Sequence, residues 1–106
     1  MKRIMVRYKV KPEYVAENER DIKRVFEQLA GERPPGVRYA SFKLADGVSF
    51  MHIVSLETTG DPSPDPGPLS KLPAFNAFTA AVGKRCAEHP VVTNLTEVGS
   101  YQMFGD

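Results

Sequence analysis

Four polar side chains with complementary chemistry stand on segments that alternate like β-strands: Arg7 in "RIMVRYKV", Tyr39 and Ser41 in "VRYASFKL", and His52 in "VSFMHIVSLE". They are a cation, a phenol, a hydroxyl and an imidazole whose ordinary pKa is about 6.5. Such a set can bind a phenolate or a carboxylate. His52 can then act as a general base that takes a proton from a phenol or an activated carbon. A structural reading stands beside this one: buried polar groups need partners, and these four can satisfy one another across an interface between two chains.

Other constellations carry less. Cys86 and His89 come close together before Pro90, but no CxxC or HxxxH completes a four-ligand set, so no metal is expected. Cys86 falls on an apolar stripe and reads as a buried, inert thiol. His89 reads as a complement to the negative end of a helix. "GDPSPDPG" is too rich in proline to cradle a phosphate, and neither GxGxxG nor GKS/T occurs.

The 106 residues fit one domain spanning 1–106. Net charge is +1 with both signs interspersed, so no nucleic-acid surface is implied. The single cysteine excludes an intrachain disulfide. No apolar run approaches the ~18 residues of a membrane span, and no secretion signal opens the chain, so a cytoplasmic, reducing setting is expected.

The elements that must hold the four side chains follow from periodicity. Ile4, Val6, Tyr8 and Val10 alternate with Met5, Arg7 and Lys9 in a first strand over 3–10. Pro12 and Glu13 open a helix whose stripe is Val15, Ile22, Val25, Phe26 and Leu29, with Gly31 as its stop. Strands over 37–44 and 48–57 flank Asp46-Gly47, a hairpin signal for a two-residue type I′ turn. Residues 58–71 hold four of the nine prolines and form a loop, read either as a lid with Leu69, Leu72 and Phe75 at its entry or as a stiff spacer. Leu72, Phe75, Phe78, Val82 and Cys86 mark a second helix that Pro90 ends, and 91–104 is a last strand.

The order βαββαβ is that of the ferredoxin-like α+β fold: a four-stranded antiparallel sheet with two helices on one face. Pairing the hairpin through its turn sets Ser41 opposite His52, Tyr39 opposite Val54 and Phe42 opposite Met51. The apolar middle of Ala40, Phe42, Met51 and Ile53 is then expected under the helices. Tyr39, Ser41 and His52, with Arg7 and Met5, are expected on the open face. That face also gathers Val37, Phe50, Val54 and Leu56, too apolar to stay wet, so a second copy is expected to cover it.

The element order, the two-sided strands and the C-terminal "VTNLTEVGSYQMF" resemble the dimeric α+β barrel superfamily, and most of all small proteins near the antibiotic biosynthesis monooxygenase group. The resemblance implies a homodimer. It implies a small aromatic or polyketide-like ligand, oxidised in some members with O2 and no cofactor. Haem-degrading relatives use a histidine of the second helix region, an asparagine on strand one and a tryptophan on strand three; this chain has no tryptophan and carries Arg7 on strand one. Two functional readings result. One is a cofactor-independent monooxygenase or aromatic-ligand binder with His52 as base and Arg7, Tyr39, Ser41 and Phe75 binding substrate. The other is a non-catalytic structural or scavenging dimer whose sheet face is interface only.

Overall fold

The structure, a computed structural model, describes residues 2–57 and 67–103. Strand β1 (Lys2–Val10) leads through a short 3-10 turn, Pro12–Tyr14, into helix α1 (Val15–Glu32). The hairpin β2 (Val37–Lys43) and β3 (Ser49–Leu56) follows, then a 3-10 turn at Gly67–Lys71, helix α2 (Pro73–Arg85) and strand β4 (Cys86–Asn94). The four strands form one antiparallel sheet in the order β2-β3-β1-β4. This is the ferredoxin-like βαββαβ architecture expected from the sequence.

Local chemistry sets the boundaries. Pro12 occupies the first turn, where its missing amide costs nothing. Helix α1 runs through Gly31 and stops when Arg33 turns left-handed at φ 47°. Its amide closes on the Leu29 carbonyl at 2.8 Å, and Pro34 cannot continue the helix. Helix α2 is pinned to α1 by the Ala74 amide, which donates to Gln28 Oε1 at 2.9 Å. It ends at Arg85, earlier than the proline signal implied, and Cys86 is already extended. Pro90 therefore lies inside β4, an edge strand, near a slip in its register with β1. His89 sits exposed on that strand and does not cap a helix. No strand continues through residues 95–103.

The hairpin register is the expected one, with Ser41↔His52, Tyr39↔Val54 and Phe42↔Met51. The turn is wider than expected. Leu44 pairs with Ser49, and of Asp46 and Gly47 only the glycine takes a positive φ, 78°. The Asp46 carboxylate explains the geometry: it accepts from the Ser49 hydroxyl at 2.6 Å and from the Ser49 and Val48 amides at 2.8 and 3.0 Å. The same bonds, led by the Ser49 hydroxyl, hold its pKa down to about 2. Two extra residues enter the loop symmetrically, so side-chain parity is kept.

The assignment of sheet faces is the main correction. Ile4, Tyr8 and Val10 of β1 share their face with Phe50, His52, Val54 and Leu56 of β3, and this face lies under both helices. Tyr8, Val10 and Phe50 pack with Ile22, Val25, Phe78 and Val82 in one cluster. Val54 and Leu56 pack with Leu69 and Leu72 in a second. The uncovered face carries Met5, Arg7, Ala40, Phe42, Met51 and Ile53. Burial of large apolar groups drives this choice: Phe50, Val54 and Leu56 bury more apolar area than Met51 and Ile53 flanked by Ala40. Leu69 and Leu72, 1% and 3% exposed, are core side chains and line no entry. The proposed lid over 58–71 falls for the rest, 58–66, outside the described residues.

Candidate functional site

His52 is 2% exposed at the centre of the sheet's covered face. An imidazole placed there loses its hydration, and its position is tolerable only with both nitrogens bonded. They are bonded. The Ser41 hydroxyl lies 2.6 Å and the Tyr39 hydroxyl 3.2 Å from Nδ1. The Tyr8 hydroxyl lies 2.8 Å from Nε2. Rings close the remaining sides: Tyr8 is nearly parallel to the imidazole with centroids 5.4 Å apart, and Phe78 stands at 5.6 Å. The partners come from three elements, Tyr8 from β1, Tyr39 and Ser41 from β2 and Phe78 from α2, so no local segment can build the site alone.

The bonded chain continues away from His52. Asn18 Nδ2 donates to the Tyr8 oxygen at 3.0 Å. Arg85 Nη1 donates to Asn18 Oδ1 at 3.4 Å, and Arg85 Nη2 donates to Asp21 Oδ2 at 2.5 Å. Asn18 is fully buried and Arg85 is 6% exposed. Among the described residues every buried side-chain nitrogen or oxygen has a partner. Burial sets the protonation states. It lowers the His52 pKa to about 4, so the ring is neutral near pH 7. It raises Tyr39 to about 12. It also raises Tyr8, with the Asn18 hydrogen bond pulling the other way. Both phenols keep their protons.

The chain reaches the surface at Ser41. This residue lines a groove of about 330 Å³ between α1 and the edge strand β2. Ile22, Phe26, Phe42 and Phe50 supply its apolar lining, and Glu19, Lys23 and Lys43 its charges. Lys43 Nζ is paired with Glu19 Oε1 at 2.7 Å.

Of the expected site residues, the fold brings Tyr39, Ser41 and His52 together. Their mates are in the same chain, not across an interface. Arg7 is exposed on the opposite face of the sheet and cannot share a site with them. Phe75 packs against both core clusters and is not part of the groove lining. Asn18 and Arg85 were missed. A signal for them existed: each is a polar residue in phase with a helix's apolar stripe, Asn18 before Ile22 and Val25, Arg85 after Phe78 and Val82. Cys86 is buried and its thiol donates to the Val82 carbonyl. No cluster of three metal-ligating side chains occurs among the described residues.

No protein-family model and no curated protein matches the sequence. Solved structures do match the backbone. An antibiotic biosynthesis monooxygenase superposes with a TM-score of 0.69 at 16% identity, over 93% of this chain and 100% of the other. The fold is that of the antibiotic biosynthesis monooxygenases. Rv0793 from Mycobacterium tuberculosis gives a TM-score of 0.70 at 17% identity, covering 93% of this chain and 96% of its own. SnoaB from Streptomyces nogalater, a cofactor-independent oxygenase solved in a mutant form, gives 0.65 at 19% identity over 93% and 94%. At these identities the likeness is one of backbone, and activity has to be argued from this chain's own side chains.

Proposed function

We propose that the protein binds a flat aromatic molecule bearing an ionisable oxygen in the groove between α1 and β2, and oxidises it with O2 without a cofactor. One observation carries the reading: Ser41, backed by the buried imidazole of His52, stands in a groove whose apolar side is built by Ile22, Phe26 and Phe50. The groove volume falls in the range of small-ligand sites. Phe26 offers its ring to a flat ligand, and Phe50, 2% exposed, backs the groove from the core. Ser41 meets the ligand's oxygen, Tyr39 and His52 hold Ser41, and Lys23 and Lys43 favour a negative charge.

An electron-rich phenolate or enolate needs little further chemistry, because it can itself reduce O2. Oxidation of a ring methylene then balances as methylene plus O2 giving a carbonyl plus water. The protein's task is to bind the substrate, stabilise its anion and keep water away. Fold similarity to SnoaB, itself a cofactor-independent oxygenase, agrees with this.

We propose further that the working form is a homodimer. Met5, Phe42, Met51 and Ile53 stand together on the face that no helix of this chain covers, and a second copy would remove them from water. Light scattering at micromolar concentration should report twice the chain mass; a monomer refutes the dimer.

The experiment for the site is oxygen uptake with a panel of anthrones and phenols, in wild type and Ser41→Ala. Wild type should consume O2 in step with product. Loss of a hydrogen bond to a charged oxygen, about 1.5–3 kcal/mol, should lower kcat/KM by roughly tenfold to a hundredfold in the variant. Binding without uptake in wild type would leave the non-catalytic reading, a ligand-scavenging dimer.

A further inference from the structure

The buried chain from Arg85 to Ser41 has a direction, and the chemistry of its ends fixes it. A guanidinium has donors and no acceptor. The group facing Arg85 must therefore be the Asn18 carbonyl oxygen, which turns the Asn18 amide nitrogen toward Tyr8. That nitrogen donates to the Tyr8 oxygen, so the phenol's own hydrogen is left for its other neighbour, His52 Nε2 at 2.8 Å. An imidazole that accepts at Nε2 and is neutral carries its hydrogen at Nδ1. Nδ1 then donates to Ser41 Oγ, 2.6 Å away. Two hydroxyl hydrogens remain, those of Tyr39 and Ser41; Tyr39 gives its own to Ser41 Oγ, and the Ser41 hydrogen is left for an oxygen lying in the groove.

We infer that Asn18 and Arg85 are positioning residues that hold His52 in the Nδ1–H tautomer, so that Ser41 meets the groove as a hydrogen-bond donor and selects ligands presenting an anionic or carbonyl oxygen. The ligand part rests on the groove reading above; the tautomer part does not. The inference also changes the role expected of His52. Its free lone pair faces Tyr8 inside the core and not the substrate, so it acts as a donor that stabilises an oxyanion through Ser41. It is not the base that the sequence alone points to. The substrate enters as its anion, its proton already given to solvent, and the site stabilises that anion. Burial fits this arrangement, since a neutral ring and a protonated Tyr8 are both needed for every link to be made once.

Nitrogen NMR of the histidine-labelled protein near neutral pH tests the direction. The chain has two histidines, and His89, exposed on β4, serves as an internal reference. Wild-type His52 should show a protonated Nδ1 and a bare Nε2. Asn18→Asp is nearly isosteric and keeps Arg85 neutralised, but it removes the amide donor. The Tyr8 hydroxyl should then turn to the new carboxylate, Nε2 should become protonated and Nδ1 bare. A merely structural Asn18 would not invert the tautomer. The inference is overturned by a wild-type Nε2–H tautomer, a result that stands even where the variant fails to fold. It is also overturned by a folded Asn18→Asp protein that keeps Nδ1–H.

Titration with 4-nitrophenolate and 4-nitroanisole separates the two claims. Wild type should bind the phenolate at least about tenfold more tightly, and Asn18→Asp should reduce that preference severalfold, to the part that Lys23 and Lys43 supply; an unchanged preference overturns the donor role of Ser41. Equal affinities in wild type overturn the donor role of Ser41. An Nδ1–H tautomer with no binding of either compound upholds the buried chain and refutes the groove as the ligand site.

Discussion

Acidification should destabilise wild type by about 2.5 kcal/mol more than a variant with no imidazole at position 52, between about pH 7.5 and 4.5. The perturbation is His52→Gln, which keeps a donor and an acceptor but does not titrate. In the folded chain burial holds the His52 pKa near about 4; in the unfolded chain it returns to its ordinary ~6.5. The unfolded state therefore takes up a proton first as pH falls. The stabilisation from keeping His52 neutral is complete above about pH 6.5 and is lost as pH falls toward about 4, with a slope near 1.4 kcal/mol per pH unit in between. Carboxylates such as Asp46 titrate in both proteins, so the difference between the two pH profiles isolates the histidine. Urea unfolding at each pH supplies the free energies. For a domain of this size each kcal/mol moves Tm by about 4–8 °C, so the gap is also visible by thermal melting. Parallel profiles for the two proteins would refute the reasoning, as would an NMR titration of His52 centred near its ordinary value.

Arg85→Met should cost about 3 kcal/mol, because it strips Asn18 and Asp21 of a buried partner. Lys43→Met, which breaks an ion pair that is 43% and 34% exposed, should cost under about 1 kcal/mol. Similar losses for the two in urea unfolding would refute the distinction. Gly36→Ala should destabilise more than Gly47→Ala: both glycines have positive φ, which costs an L-residue roughly 1–2 kcal/mol, but only at Gly36 would the new methyl stand 3.1 Å from the Glu57 Cβ. Equal melting shifts would show that the contact relaxes at no cost.

The topology was legible because each element has a local signature. Alternation marks β1, an apolar stripe marks α1, and Asp46-Gly47 places the hairpin with its register intact. The parity between β1 and the hairpin was not legible. Strand β3 is apolar on both sides, Phe50, Val54 and Leu56 against Met51 and Ile53, and a lone histidine tips a sequence reading toward the open face. What keeps His52 inside is a set of partners 11 to 44 positions away, Ser41 by 11, Tyr39 by 13 and Tyr8 by 44, and Tyr8 is held in turn by Asn18. No window of sequence shows that set. The end of α2 was misplaced for a related reason. Proline stops a helix reliably, but an edge strand can also accept one, and the pairing of β4 with β1 decides between them.

The two ends of the buried chain differ in how freely they can change. Arg85 closes α2 and adjoins β4 with no intervening loop, and its backbone carbonyl accepts from the Lys11 amide at 2.8 Å. Any replacement there disturbs a helix end, a strand start and an ion pair at once. Ser41 stands on an edge strand with its side chain at the groove. Threonine, cysteine or asparagine at position 41 would present a different group to the groove while the core behind it stays as built. Selection for a new ligand can therefore work at one replaceable residue, against a fixed interior that sets the polarity of whatever stands there.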